Sequence, residues 1–194
     1  VYFFSTLLVL LLGSTYLIAN ELGYKEIISN GRSVIIEGND TKDKLDQTKK
    51  AMRNGVGVIS QAYLEFNDFG GVADFLIKVS GQSILGDYHY EVWDTKLSKK
   101  IKPYFIIQLC CYVEMLENIQ GVKPEKVAVV LGDKKINFLK IKNYYSYYKT
   151  LKSNFLSYHK DWKIGNHPDP SETVTHGRWS QYAESILTKR RHLS

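Results

Sequence analysis

Apolar and polar side chains alternate along three consecutive stretches in the middle of the chain. These are Val56–Phe66, Gly71–Val79 and Tyr88–Leu97, separated by the turn-forming pairs Asn67-Asp68 and Gly81-Gln82. Because successive side chains of a strand point to opposite faces of a sheet, the alternation predicts three strands joined as hairpins.

The pattern then changes to an apolar spacing of three to four, which is typical of a helix with one buried face. This predicted helix follows Pro103, and Gly121 and Pro124 end it. Its apolar positions are Phe105, Leu109, Tyr112, Val113 and Leu116.

The remaining patterned stretches alternate between strand and helix. Before the hairpins, the residues predict a helical piece near 20–30, a strand at 32–36 and a solvated helix at 39–54. After the long helix they predict strands at Val127–Leu131 and Ile136–Ile141 around Gly132-Asp133, and a last helix at Tyr144–Tyr158. The order of elements predicts an α/β fold with the sheet in the middle.

Residues 1–19 carry no charge and begin with Val1 rather than methionine, so we expect a fragment or a trimmed gene product. An uncharged run of about 18 residues is long enough for a transmembrane or signal segment. Several polar residues dilute the run, however, and no basic region precedes it. We therefore favour a buried helix or an anomalous start, and expect no membrane association.

Composition limits the size of the fold and the compartment. The 194 residues are 44% hydrophobic, which suits one domain with a short appendage. The net charge of +6 is compatible with a phosphate-bearing partner but does not specify one. The two cysteines, Cys110 and Cys111, are adjacent and lack the spacing of a metal site, which indicates reduced thiols in the cytoplasm.

An aspartate and a lysine lie two residues apart in the third predicted strand. Strand geometry directs Asp94 and Lys96 to one face and Trp93 and Thr95 to the other, unless a bulge intervenes. The pair could hold a divalent ion beside a cation that positions water or a phosphate. The alternative is a simple salt bridge on a solvated face, which is the commoner arrangement for this triplet alone.

A second carboxylate, Asp74, lies in an otherwise apolar strand, where burying it unpaired would be costly. A hairpin through residues 80–87 would bring it beside Asp94. Together with the main-chain carbonyl of Thr95, the two carboxylates would offer hard oxygen ligands to Mg²⁺ or Mn²⁺. In the helix that follows, Gln108 and Tyr112 are four residues apart and share one face.

Three short motifs therefore follow one another: Gly-x-x-Asp from Gly71 to Asp74, Asp-x-Lys from Asp94 to Lys96, and Gln-x-x-x-Tyr from Gln108 to Tyr112. Their order resembles RecB-like nucleases of the PD-(D/E)XK superfamily. The segments VADFL, YEVWDTKL and KPYFIIQLCCYVEML are similar to those of RecB-like nucleases that often precede a helicase in one polypeptide. The resemblance covers about residues 20–194 and implies a restriction-endonuclease-like core, with a central mixed sheet flanked by helices.

The resemblance also implies roles for individual residues. Asp74 and Asp94 would hold Mg²⁺, Lys96 would align the attacking water, and Gln108 and Tyr112 would line the site against DNA. We divide the chain into an apolar segment at 1–19, a nuclease domain at 20–160 and a basic tail at 161–194.

The chain departs from the family at two places. The His-Glu pair that relatives place on an early helix corresponds to Asn20-Glu21. Many relatives also bind a [4Fe–4S] cluster through cysteines near the C-terminus. The corresponding segment here, 173–179, keeps Trp179 but has no cysteine, so we read the tail as a remnant of that region and expect no iron–sulfur cluster.

The last predicted helix mixes tyrosines with lysines, a composition that suits single-stranded nucleic acid. We expect contacts to DNA from Tyr144, Tyr148, Lys149 and Lys152. The alternative is that about half of the tyrosines in this helix pack the core.

The leading prediction is a Mg²⁺-dependent deoxyribonuclease of the RecB-like exonuclease type that acts on single strands or ends in DNA repair, recombination or defence. The competing prediction is a degenerate domain kept as a DNA-binding or scaffold module. The position of Asn20 and the missing cysteines favour the second, whereas Asp74, Asp94 and Lys96 favour the first.

Overall fold

The structure is a computed structural model, and it describes residues 32–161, 169–172 and 176–191. Within these residues, one mixed sheet has its strands in chain order. The strands are β1 (Ser33–Ile35), β2 (Val58–Phe66), β3 (Phe69–Ser83), β4 (Gly86–Lys96), β5 (Lys126–Leu131) and β6 (Ile136–Lys140). The helices are α1 (Thr41–Arg53), α2 (Pro103–Gln120), α3 (Tyr145–Asp161) and α4 (Ser180–Arg191).

The pairing of the strands makes the sheet mixed. The ladders β2–β3, β3–β4 and β5–β6 are antiparallel, whereas β1–β2 and β4–β5 are parallel. A sheet of this kind flanked by helices confirms the predicted α/β class, and it is consistent with a restriction-endonuclease-like core.

The helix α2 packs its apolar side against the sheet. Leu109, Val113 and Leu116 are fully buried in the same core cluster as Leu76 and Val92 of the sheet. Pro103 begins the helix, where its missing N–H costs no hydrogen bond, and Gly121 ends it in the left-handed conformation at φ 74°.

A buried glutamine joins the end of α2 to β4. Gln120 Oε1 accepts a hydrogen bond from Tyr90 N at 2.8 Å, and its Nε2 donates to Tyr90 O at 3.2 Å and to Val122 O at 3.0 Å. Because these bonds satisfy the amide on both sides, the C-terminal end of α2 is fixed relative to the strand that carries Asp94.

The turn predicted at Gly81-Gln82 is wrong. The strand β3 continues to Ser83, a register shift between Ser80 and Ser83 absorbs the irregularity, and the chain reverses before Gly86. Gly81 has φ +145°, a conformation open to glycine, so it marks a bulge rather than a turn. The turn at Asn67-Asp68 is confirmed, with Asn67 at φ 54°.

The chain separates into two compact units, the first ending at Thr150 and the second beginning at Leu151. In the second, Arg190 Nη1 lies 2.7 Å from Asp169 Oδ1, and Trp179 is 63% exposed. No described helix is both long enough and apolar enough to cross a membrane. The predictions for residues 1–19, for the piece near 20–30 and for Asn20-Glu21 lie outside the described residues.

Candidate active site

The site lies on β4 where its ladder with β3 ends and its ladder with β5, on the opposite side of the strand, begins. The β3–β4 ladder ends at the pair Phe75–Trp93, and from Trp93 to Lys96 the strand β4 pairs with β5. Asp74 and Asp94 are the next residues on the two strands, directly beyond the end of the ladder. The predicted hairpin therefore brings the two carboxylates together at the point where the sheet opens.

Thr95 holds Asp74 at this opening. Its backbone N–H donates to Asp74 Oδ2 at 2.8 Å, and its hydroxyl donates to the same oxygen at 2.6 Å. Beyond the end of the β3–β4 ladder, no β3 carbonyl accepts from the Thr95 N–H, and the Asp74 carboxylate accepts in its place. The predicted role of the Thr95 carbonyl as a metal ligand stays a prediction, and positioning Asp74 is a role that the sequence reasoning missed.

Asp94 and Lys96 share one face of β4, as predicted. Lys96 Nζ lies 2.5 Å from Asp94 Oδ2, and the Asp94 side chain is only 3% exposed. Lys96 Nζ also donates to Gln108 Oε1 on α2 at 3.1 Å, so it joins the strand to the helix.

The helix residues extend this hydrogen-bonded chain back to β3. Gln108 Nε2 donates to the Tyr112 hydroxyl at 3.1 Å, and that hydroxyl donates to Val72 O at 2.9 Å. A Cβ added to Gly71 would lie 2.9 Å from Tyr112 Cε1, so the glycine of the first motif makes room for the tyrosine of the third. The structure therefore brings Asp74, Asp94, Lys96, Gln108 and Tyr112 into one connected cluster.

The electrostatics of the cluster are dominated by burial. Burial and the neighbouring charge of Asp74 raise the pKa of Asp94 from 3.8 to about 7, and Lys96 offsets only part of that rise. Burial also raises the pKa of Tyr112 well above its usual range, so its hydroxyl remains a donor.

The donor set fits a hard divalent cation. Among the described residues, Asp94 Oδ2 is buried without a partner of hydrogen-bond geometry, although the Lys96 ammonium lies close to it. Two adjacent carboxylates, one of them almost fully buried, are stabilised by added positive charge, and Mg²⁺ and Mn²⁺ prefer oxygen ligands. No group of three or more His, Cys, Asp or Glu side chains gathers within the described ranges, so protein carboxylates would supply only part of such a shell.

One ring beside the site was predicted only as core. Phe105 is 5% exposed, and Lys96 Nζ lies 5.2 Å from its ring centroid. The sequence could have indicated this contact, because Phe105 lies one helical turn before Gln108. The Phe105 ring therefore helps to confine the Lys96 side chain.

The nucleic-acid contacts predicted on α3 need a correction at Tyr148. Its ring is 3% exposed, and its hydroxyl donates to Glu114 Oε2 at 2.5 Å, so it packs the core and offers no free face to a base. Lys149 Nζ pairs with Glu114 Oε1 at 2.7 Å, and Tyr144 is half-buried against the core. Lys152 belongs to the second unit and is half-buried.

The cysteines take no part in the cluster. Both lie on α2, and burial raises the pKa of the Cys110 thiol to about 11, which keeps it protonated. The segment 173–179 was predicted to be a remnant of an iron–sulfur region. Its residues 173–175 lie outside the described ranges, and His176 Nε2 lies 2.8 Å from Pro170 O.

No protein-family model and no curated protein matches this chain at a significant level. The interpretation of the five-residue cluster as a site therefore depends on its geometry and on the three sequence motifs.

Proposed function

We propose that the first unit is a metal-dependent nuclease that hydrolyses DNA phosphodiester bonds, with Asp74 and Asp94 as metal ligands. The observation that carries the proposal is the connected cluster itself. Two carboxylates, a lysine, an amide and a phenol from β3, β4 and α2 meet where the sheet opens. Carboxylates that can hold a metal ion and a lysine that can stabilise developing negative charge are residue types that suit phosphodiester hydrolysis.

Hydrolysis needs the charge of the phosphate neutralised and a water molecule aligned for attack. The divalent cation, when bound, supplies Lewis acidity at the phosphate and lowers the pKa of water. Asp74 presents its second oxygen while Thr95 holds the first, and Asp94 presents a buried carboxylate that already lies against the Lys96 ammonium.

Lys96 is the residue placed to act on the reacting groups. Its ammonium is held by Asp94 and Gln108, and a fifth of its side chain is exposed. It orients the attacking water and stabilises negative charge that develops on the phosphate. Gln108 and Tyr112 are positioning residues, because they fix Lys96 through the hydrogen bonds that lead back to Val72.

Cleavage of a fluorescently labelled single-stranded oligonucleotide with Mg²⁺ or Mn²⁺ tests the proposal. Asp94→Ala and Lys96→Ala should each lower cutting by roughly 100-fold or more, with the circular dichroism spectrum unchanged. The chain supplies a matched control, because Asp133 and Lys135 have the same spacing and pair at 3.1 Å on the surface. Asp133→Ala and Lys135→Ala should cut like the wild type. Equal cutting by all four variants would refute the assignment.

A second experiment distinguishes the nuclease from a degenerate scaffold. A cation bound only by the native state raises the melting temperature by mass action. Mg²⁺ should therefore stabilise the wild-type protein, and Asp74→Asn should reduce that gain. A scaffold with a plain salt bridge predicts no effect of millimolar Mg²⁺ on either protein, even with an oligonucleotide present.

A further inference from the structure

A basic surface with one exposed aromatic ring adjoins the cluster. It consists of the loop Leu97–Lys102 and Tyr104 in the first turn of α2, and we call it the α2 entry surface. Lys99, Lys100 and Lys102 are exposed there. The sequence contains no Asp or Glu between Asp94 and Glu114, so no acid along this stretch offsets these charges.

The loop has a defined conformation. Ser98 O accepts from Gly132 N at 3.1 Å, and Ser98 Oγ donates to Lys100 O at 2.8 Å. A Cβ on Gly132 would clash with the backbone oxygen of Leu97, so the β5–β6 turn packs directly on the loop. The lysines therefore project from a fixed backbone.

Tyr104 is connected to the proposed catalytic lysine through a single ring. It is 61% exposed, and its ring meets Phe105 edge-on with centroids 4.6 Å apart. Lys96 Nζ lies 5.2 Å from the centroid of the Phe105 ring, and Lys102 Nζ lies 5.8 Å from that of Tyr104. The exposed Tyr104 ring is thus separated from the site by one aromatic contact, and Lys102 lies beside it.

We infer that Tyr104 stacks on a base of single-stranded nucleic acid while Lys99, Lys100 and Lys102 contact its phosphates. That the bound nucleic acid is a substrate rests on the proposed function. The inference adds that this substrate is single-stranded. An exposed ring beside lysines binds single strands without regard to sequence, since every base has a face that can stack. In an intact duplex those faces are already stacked, so Tyr104 has no equivalent contact to make.

The test measures binding of a fluorescein-labelled ten-residue oligothymidylate in EDTA, by fluorescence anisotropy. Removing a base–aromatic contact typically weakens binding by about 5- to 100-fold, so Tyr104→Ala should fall in that range and Tyr104→Phe should stay near wild type. The triple variant Lys99→Gln, Lys100→Gln, Lys102→Gln should reduce the slope of log affinity against log salt by about 2. A duplex of the same length should bind more weakly than the single strand.

A matched control is Tyr147→Ala, because Tyr147 is 67% exposed on α3 and has no part in the α2 entry surface. It should bind like the wild type. Unchanged affinity of Tyr104→Ala, equal affinity for duplex, or a loss confined to Tyr147→Ala would each overturn the inference. EDTA excludes cleavage, so the binding test is independent of the proposed function. If the wild-type protein binds through Tyr104 in EDTA but does not cut with Mg²⁺ or Mn²⁺, the proposed function fails and the inference about binding stands.

Discussion

Replacing Asp94 with asparagine should stabilise the metal-free protein, and increasingly so as the pH rises. The substitution keeps the shape of the side chain and removes a charge that is almost fully buried. Burial and Asp74 raise the pKa of Asp94 from 3.8 to about 7 even with Lys96 beside it. The native protein therefore binds this proton more tightly than the unfolded chain does.

The sign and size of the effect follow from linkage. The stabilisation due to protonated Asp94 is fully present below pH 3.8 and is lost as the pH rises through about 7. A tenfold change in proton affinity corresponds to about 1.4 kcal/mol. Relative to a residue that does not titrate, Asp94 therefore lowers the free energy of unfolding by about 2 kcal/mol at pH 5, where folding requires it to take up a proton, and by about 4 kcal/mol at pH 8, where it is ionised. The advantage of Asp94→Asn over wild type should grow by about 2–3 kcal/mol between these pH values.

Urea unfolding in EDTA at pH 5 and pH 8 measures this difference, because a bound cation would compensate the charge. Asp46→Asn is a suitable control, since Asp46 is exposed on α1 and its replacement removes the same charge from water. It should give no comparable change in unfolding free energy. If Asp94→Asn is less stable than wild type at pH 8, the ion pair with Lys96 outweighs desolvation and the electrostatic reasoning fails.

Two further substitutions examine the packing around the cluster and on α3. In Gly71→Ala the new methyl would lie 2.9 Å from Tyr112 Cε1, so we expect a loss of about 1–3 kcal/mol in urea unfolding together with reduced cleavage; full stability and activity would contradict the close approach. Tyr148→Phe removes the hydroxyl bound to Glu114 but keeps the ring. It should lower the unfolding free energy by about 1.5–3 kcal/mol and leave oligonucleotide binding unchanged. Weaker binding at unchanged stability would instead return Tyr148 to the nucleic-acid surface.

The parts of the site that the sequence predicts are those governed by short-range geometry. Period-two alternation places Asp94 and Lys96 on one face of a strand, and four-residue spacing places Gln108 and Tyr112 on one face of a helix. Consecutive strands joined by a single turn pair as neighbours, and this hairpin brings Asp74 alongside Asp94. These relations hold whichever partner each strand takes elsewhere in the sheet.

The features that were missed depend on contacts between residues distant in sequence. The tyrosines of α3 are equivalent by pattern, and Tyr148 is distinguished only by Glu114, which lies 34 positions earlier. Thr95 holds Asp74 because the ladder between β3 and β4 ends at Trp93, and no local pattern reveals where that ladder ends. The bulge at Gly81 likewise depends on the register of β3 with β4.

Within the described residues, Asp94 with Lys96 and Asp133 with Lys135 are two Asp-x-Lys triplets that form ion pairs, and the contrast between them bears on the choice between nuclease and scaffold. At the surface, the hydrogen bond from Lys135 lowers the pKa of Asp133, as expected of a structural salt bridge. In the cluster the pKa of Asp94 is raised although its lysine is closer, since burial and Asp74 outweigh that lysine. A pair kept for stability alone has no reason to place a second carboxylate beside a buried one and to fix it there with two hydrogen bonds from Thr95. Added positive charge would relieve that cost, and this favours the cation-binding interpretation over the plain salt bridge.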